Sequence, residues 1–281
     1  MNTNSYHIPH LSMNYLQNHS YKVAFHSHQE AELFYFHEGK CTYLVGDRIF
    51  HLSAGDLILM NGLTLHRPKL FKDHAYVRTT IHFDQTYFKS LLAPMNMEKL
   101  VDPFTSLSSL HLSFRGEEKK KVEHYLTSMM ACKDKDTEVA SFRFQLLFMD
   151  LLSFLFPYYQ EPFTQRTLQQ TDKERHVQKV ISLIETNYHT DFHLEKLEEE
   201  LHLSKYYLSK IFKEITGVTI FKYLHQKRIN QAKVHMMLNE SISITDLGYQ
   251  TGFKYPSHFS RVFKQLTGMT PEQYRKAVSD L

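Results

Sequence analysis

Residues 244–275 read ITDLGYQTGFKYPSHFSRVFKQLTGMTPEQYR, and their polarity separates by helical spacing. From Phe259 the apolar positions Phe259, Val262, Phe263 and Leu266 recur at i, i+3, i+4 and i+7, which predicts one buried helix face. His258, Arg261, Lys264 and Gln265 fall on the opposite face. Upstream, Ser243 is placed to cap a short helix, Gly248 lets that helix pack closely, and Gly252 supplies the turn before the second helix. Helix, glycine turn and basic helix is the order of a helix-turn-helix.

The unit is written twice. LSKIFKEITGVT at 208–219 lies on FSRVFKQLTGMT at 259–270 with a shift of 51 residues, so that Ser209, Phe212, Lys213, Thr216, Gly217 and Thr219 each meet an identical residue. Leu208, Ile211, Phe212 and Ile215 repeat the apolar face, while Tyr206, Ser209, Lys210 and Lys213 repeat the outward one. Ahead of these helices the shift is 50, pairing Leu197 with Leu247 and Leu203 with Phe253. Such a repeat predicts two copies of one supersecondary unit. Thr219 caps a connecting helix to about Asn239, with Phe221, Leu224, Ile229, Ala232, Val234 and Leu238 as packing residues. Its basic residues Lys222, Lys227, Arg228 and Lys233 read as a solvated face or as phosphate contacts. A packing helix opens at Asp172 or Lys173, with Val177, Val180, Ile181, Ile184 and Tyr188 in one stripe.

Gly252-Phe253, the core Phe259-Ser260-Arg261-Val262-Phe263-Lys264 and the closing run Gly268-Met269-Thr270-Pro271-Glu272-Gln273-Tyr274-Arg275 carry a resemblance. Residues 173–276 resemble the DNA-binding region of the AraC/XylS family of transcription regulators. That resemblance implies two reading helices in successive major grooves of double-stranded DNA, about 34 Å apart. Carried over by position, Tyr206, Ser209 and Lys210 form the first base-reading set and Ser257, His258 and Arg261 the second. Arg261 is the leading reader because arginine can bond both acceptors of a guanine edge. Lys205, Lys213 and Lys264 are assigned to phosphates.

The N-terminal half reads differently. Glu32–Phe36, Thr42–Val45, Arg48–Leu52, Leu57–Met60 and Tyr76–Phe83 are five short strands separated by turns, which suggests a sandwich or barrel. In FHSHQEAELFYFHEG, residues His26, His28, Glu32, Phe34 and Phe36 share parity and would face one interior. His26, His28, Glu32 and Gly39 resemble the first cupin motif, and Gly55 with His66 part of the second, although Asn61 and Leu63 stand where that motif has Pro and Gly. The resemblance implies a double-stranded β-helix with its polar cluster inside.

Three readings of His26, His28, Glu32 and His66 stand side by side. They can bind a small polar effector, with Phe34, Tyr35 and Tyr43 as walls. They can ligate a divalent first-row metal, as in enzymatic cupins. Or they are barrel histidines satisfied by backbone carbonyls. His7, His10, His19, His37, His51, His74 and His82 read as scattered surface or strand residues.

Residues 117–156 shift to helical period. Val122, Leu126, Met129 and Met130 form one stripe, and Val139, Phe142, Leu146, Met149 and Phe154 open a second helix that is apolar nearly all round. Such a helix must be covered on more than one side, by the barrel and by a second subunit, or by core packing alone. Pro157, Pro162 and the polar run TQRTLQQTD interrupt any helix and read as a linker.

Composition agrees with this division. Residues 1–171 hold 17 Lys and Arg against 17 Asp and Glu, whereas residues 201–281 hold 12 against 5, so the basic excess lies at the C-terminal end. Two cysteines, Cys41 and Cys132, are too few for a disulfide framework and point to a reducing compartment. The start MNTNSYHIPH lacks a signal peptide, and Met149–Phe156, the most apolar run, is too short to span a bilayer.

The resulting expectation is an α+β chain. Residues 1–156 form a cupin-like effector-binding and dimerisation domain, 157–171 a linker, and 172–281 a double helix-turn-helix domain. Its function is a cytoplasmic, homodimeric, sequence-specific DNA-binding regulator controlled by a small polar metabolite such as a sugar. It has no catalytic residue and no cofactor, and RNA polymerase is a further partner if it activates; no membrane is involved. The alternative is a metal-dependent cupin enzyme, using His26, His28, Glu32 and His66, fused to a DNA-binding module. A third reading has the barrel binding only a protein partner.

Overall fold

The structure, a computed structural model, describes residues 9–18, 24–71, 73–105, 109–135, 137–160, 171–238 and 241–279. The chain folds into two compact units, the first of residues 1–45 and 50–168 and the second of residues 46–49 and 169–281.

In the first unit, eight strands form two antiparallel sheets. They are β1 Leu11–Asn18, β2 Ala31–Gly39, β3 Cys41–Val45, β4 Arg48–Leu52, β5 Asp56–Met60, β6 His66–Leu70, β7 Tyr76–Phe83 and β8 Ser109–Ser113. Five strands lie in the order β1-β7-β2-β5-β8 and three in the order β4-β3-β6. The five expected strands are present, so the sandwich follows as read. β1, β6 and β8 were not expected. β1 is a polar edge strand that buries Leu11 and Met13 and exposes Ser12 and Asn14, and β6 carries Pro68, which an edge position tolerates because no ladder N–H is lost there.

The central strand β2 is buried on both faces, which explains its nearly continuous apolar run. Phe34 and Phe36 point inward to a core with Tyr43, Phe50, Ile58, Met60 and Tyr76. Leu33 and Tyr35 point outward to Leu57, Leu59, Ile81, Phe83, Phe88, Phe104 and Phe148. That outer face is covered by helix α1 Gln85–Leu92, a 3₁₀ segment Glu98–Phe104, α2 Gly116–Lys133 and α3 Glu138–Gln160.

α3 departs from the expected register. Phe144, Phe148, Leu151, Leu152 and Leu155 are buried, whereas Val139, Phe142 and Leu146 are 69%, 58% and 43% exposed. A helix apolar all round carries two candidate stripes, and periodicity cannot say which meets the sheet. α3 also continues through Pro157 to Gln160, since a proline near the last turn costs only one intrahelical bond. α3 as a whole is long and apolar enough to cross a membrane by length and composition alone, although Met149–Phe156 by itself is not; its buried residues pack in the core of the first unit. The rest of the expected linker, 161–170, lies outside the described residues.

The second unit is helical: α4 Asp172–Asn187, α5 Leu194–Leu201, α6 Lys205–Thr216, α7 Ile220–Leu238, α8 Ile244–Gln250, α9 Pro256–Thr267 and α10 Pro271–Ser279. α4 opens with a full capping box between Thr171 and Glu174 and buries Val177, Val180, Ile181 and Ile184 as read. Phe221 is exposed rather than packed, and Leu266 is also exposed. Two basic residues of α7 are neither solvated nor free for phosphates. Lys227 is buried against the Glu185 carboxylate, and buried Arg228 donates to Tyr188 O at 2.7 Å and Thr190 O at 2.8 Å. They brace the connecting helix to α4 and to the chain after it, because an interior charge must be paired and a terminal carbonyl must find a donor.

Candidate functional site

Local backbone pairing assembles the histidine cluster. His26 and His66 exchange both backbone hydrogen bonds, at 3.1 and 3.0 Å, in an isolated bridge, and His28 N donates to Gly62 O at 2.9 Å. A Cβ at Gly62 would lie 1.9 Å from Glu30 O and 2.4 Å from His28 Nδ1, so only glycine allows that approach. The ring centroids of His26 and His66 are 4.2 Å apart, and those of His28 and His66 are 5.2 Å apart.

Glu32 sits at the centre. Its Oε2 lies 3.0 Å from His28 Nε2, 3.4 Å from His66 Nε2 and 3.4 Å from His82 Nε2, and the residue is buried. Burial alone would raise its pKa, yet hydrogen bonds to His28, His66 and His82 hold the carboxyl well below its ordinary range. Burial, followed by repulsion from His66, lowers His26 to about 4. For His82, burial works downward, but the bond and the charge of Glu32 prevail and raise it.

His26, His28, Glu32 and His66 thus come together as read, and His82 joins them unexpectedly. It enters through the β2–β7 ladder, where Glu32 and His82 are register partners on the same face. Phe34 and Tyr43 back the cluster from within the aromatic core, with ring centroids 4.6 Å apart and both side chains buried. Tyr35 faces outward instead, donating to Glu123 at 3.2 Å. His10, stacked on Tyr87, and His37, bonded to Thr79, stay outside the cluster, and His7 and His19 lie outside the described residues.

A second polar centre had no sequence signal. Asp56, buried at the start of β5, accepts from Ser53 N, Ser113 Oγ and Arg115 Nη2, each at 2.8 Å, and lies 3.2 Å from His111 Nε2. His111, Ser113 and Arg115 come from β8 and the residues after it, a strand too short and polar to be anticipated.

In the helical unit, the two repeats agree at the C-terminal ends of α6 and α9. α6 and α9 both have 12 residues and end on left-handed glycines, Gly217 and Gly268. Thr216 Oγ1 donates to Phe212 O at 2.7 Å and to Val218 O at 3.1 Å; Thr267 Oγ1 donates to Phe263 O at 2.8 Å and to Met269 O at 3.0 Å. Their buried faces are Leu208, Ile211, Phe212 and Ile215, and Phe259, Val262 and Phe263.

On the outward faces, Tyr206 is 79% exposed, and Lys210, Lys213, Ser257, Arg261 and Lys264 are exposed. Ser209 and Lys205 are half-buried, and Lys205 pairs with Glu195 at 2.7 Å. His258 is also half-buried, edge-on to Phe253 and His225 with centroids 5.5 and 5.4 Å away.

These two structures have counterparts among known proteins. Residues 11–115 match the AraC-like ligand binding domain, and residues 197–277 match a helix-turn-helix domain. The chain belongs to the AraC family of transcription regulators. An "HTH-type transcriptional activator RhaR" of Escherichia coli O139:H28 is 25% identical over 254 residues, covering 89% of this chain and 86% of that one. An "Uncharacterized HTH-type transcriptional regulator" of Staphylococcus aureus is 29% identical over 227 residues, covering 79% of this chain, which spans only 28% of that protein's length. ToxT from Vibrio cholerae aligns over 95% of this chain and 98% of its own at 16% identity, with a TM-score of 0.39.

Within this AraC-family chain, the ligand-binding match contains the whole histidine cluster, and the helix-turn-helix match contains α6, α7 and α9 entire.

Proposed function

We propose that this AraC-family protein is a sequence-specific DNA-binding transcription regulator, controlled by a small polar metabolite bound at the cluster of His26, His28, Glu32 and His66. The carrying observation is the duplicated outward face: two helices of equal length, each ending on a left-handed glycine and presenting a basic row beside small or polar residues. Tyr206, Ser209 and Lys210 on α6, and Ser257, His258 and Arg261 on α9, read bases; Lys205, Lys213 and Lys264 hold phosphates. A sugar or related polyol suits a site rich in carboxylate and imidazole backed by Phe34 and Tyr43.

The ligand acts by binding the DNA-competent state more tightly than the other, since equal affinity for both shifts nothing. Residues 1–156 are the sensing and dimerising part and 172–281 the reading part. The exposed stripe Val139, Phe142 and Leu146 of α3 is the homodimer face. The protein works in the cytoplasm, without catalysis of its own, and engages RNA polymerase where it activates.

Footprinting on promoter DNA tests the reading: protection of two major-groove segments one helical turn apart supports it, and protection of a single segment counts against the paired reader. A thermal-shift screen of sugars tests the effector, because a ligand specific to the folded state raises the melting temperature. Sedimentation of Phe142→Glu tests the dimer: a mass unchanged from that of the parent would remove α3 from it.

A further inference from the structure

The five-stranded sheet is covered unevenly on its inner face. Along β7, Tyr76, Arg78, Thr80 and His82 alternate onto one side, and Phe36, Phe34 and Glu32 of β2 are the register partners of Arg78, Thr80 and His82. On that side Phe34, Phe36 and Tyr76 are buried in the inner core. In the neighbouring edge strand β1, Leu11 and Met13 pack into the outer core, so Ser12 and Asn14 share the side of Glu32 and Phe34, yet both are exposed. The inner face is therefore closed over β2 and open over β1.

This open side is polar and carries a cation. Asn14 Nδ2 donates to Thr80 Oγ1 at 3.5 Å, and Thr80 is only 7% exposed. Half-buried Arg78 donates through Nη2 to Gln17 Oε1 at 3.3 Å and through Nη1 to Gln17 O at 3.5 Å, and its guanidinium lies 4.7 Å from the centroid of the Tyr76 ring. Both acceptors are neutral, and no carboxylate pairs with Arg78 among the described residues. Glu32, the carboxylate on the same side, is occupied by His28, His66 and His82. The aromatic face and the Gln17 amide hold the planar fork in place, so little order is lost when an oxyanion takes its remaining N–H groups.

We infer that the inner side of β1 and β7 binds the anionic group of the effector, a carboxylate or a phosphate, with Arg78 supplying the charge, Asn14 and Thr80 the adjoining hydrogen bonds, and the histidine cluster receiving the hydroxyl end. Arg78 and His82 stand about 13 Å apart between Cα atoms on one strand, a distance that their side chains and a monosaccharide-sized ligand fill together. The effector class is then a polyhydroxylated anion, a sugar acid or a sugar phosphate, rather than a neutral sugar. This rests on the reading of the barrel as the sensing domain and deepens it by fixing the charge of what is sensed.

The test titrates the full chain at constant ionic strength with inorganic phosphate, D-glucuronate and D-glucose 6-phosphate, against D-glucose, and follows heat of binding and melting temperature. At least one of the anions is expected to bind tenfold more tightly than glucose, and a preference between glucuronate and the two phosphates tells carboxylate from phosphate. Arg78→Gln is expected to weaken that binding at least tenfold and Arg78→Lys less. Asn14→Asp, at an exposed edge position that tolerates substitution, places a like charge beside the anion and is expected to weaken it at least tenfold as well. Anion binding unchanged in Arg78→Gln and Asn14→Asp overturns the inference and assigns the anion to the lysines of α6 and α9. Glucose binding as tightly as every anion, or no anion binding at all, overturns it equally. Promoter DNA binding is measured with each compound alongside. A neutral sugar that shifts it, with no Arg78-dependent anion, sinks the anion site alone; an Arg78-dependent anion that leaves it unchanged sinks the effector reading alone.

Discussion

Glu32 and His82 face each other across the β2–β7 ladder, Oε2 to Nε2 at 3.4 Å, with the carboxylate buried and the imidazole half-buried. Glu32 is the only carboxylate among the described residues to meet His28, His66 and His82 together, so the histidine cluster is organised around one negative charge.

Removing that charge leaves imidazoles oriented toward nothing. Glu32→Ala is expected to destabilise the barrel by about 3–5 kcal/mol, the cost of breaking a buried charged pair by deleting one partner. Urea denaturation of the variant checks this, and a loss under about 1 kcal/mol would mean that water replaces the carboxylate without penalty.

Asp56 predicts a pH dependence. Burial opposes its charge, but His111, the Ser53 N–H and Arg115 together hold its carboxyl below the ordinary value, and Ser113 Oγ adds a further hydrogen bond. A folded pKa below the unfolded one, about 3.9, gives stability that is complete above the unfolded value and lost as pH falls through the folded one. The parent is therefore expected to exceed Asp56→Asn in stability at pH 7, and the gap to close below about pH 4. Denaturation curves at several pH values decide it, and a gap independent of pH contradicts the assignment.

On DNA, the two repeats are expected to contribute unequally. Residues 194–217 carry four lysines against five glutamates, net −1, whereas residues 244–268 carry two lysines and an arginine against one aspartate, net +2. Arg261→Ala should weaken specific binding by about 1–3 kcal/mol and relax one base preference, while Lys264→Ala should weaken all sequences alike and reduce the salt slope by about one. Unchanged affinity across operator variants for Arg261→Ala would remove it from the reading set.

Lys205 offers a test in the opposite direction. It is paired with Glu195 within the first repeat, so Glu195→Gln releases it toward phosphate and is expected to tighten DNA binding a few-fold at low salt. Fluorescence anisotropy at two ionic strengths measures this; equal or weaker binding places Lys205 away from the DNA.

The turns of the two repeats differ at one matched position. Gly252 has φ +88°, and a Cβ there would lie 2.6 Å from Tyr188 O, whereas its counterpart His202 adopts φ 53° as a non-glycine residue. Gly252→Ala should cost more than about 1–2 kcal/mol, and His202→Gly should be neutral or stabilise by up to about 1 kcal/mol. A thermal melt of each variant checks the pair.

Much of the helical unit was legible in the chain itself. Helical period, a cap such as Ser243 or Thr171 and a terminal glycine act within one or two turns, so α6 and α9 could be read from neighbours a few residues away, and the repeat made each copy support the other. The same locality placed His26, His28 and Glu32 on one face of an extended segment. What the chain could not show is which distant strand lies beside that face. His82 reaches Glu32 only because β7 pairs with β2 in one particular register, and a shift of one residue would turn it to the other side. Asp56 likewise meets His111 and Arg115 through β8, a strand with little apolar pattern. Lys227 and Arg228 looked like surface charges until Glu185 and the carbonyls after α4 came to lie against them. For α3, apolar residues on every side made each face equally able to pack, and only the position of the sheet selected Phe144, Phe148 and Leu152 over Val139, Phe142 and Leu146. Local pattern therefore determined the elements and most of the helix-turn-helix units, while long-range pairing, whose partners no short window of sequence contains, decided the composition of the buried histidine cluster.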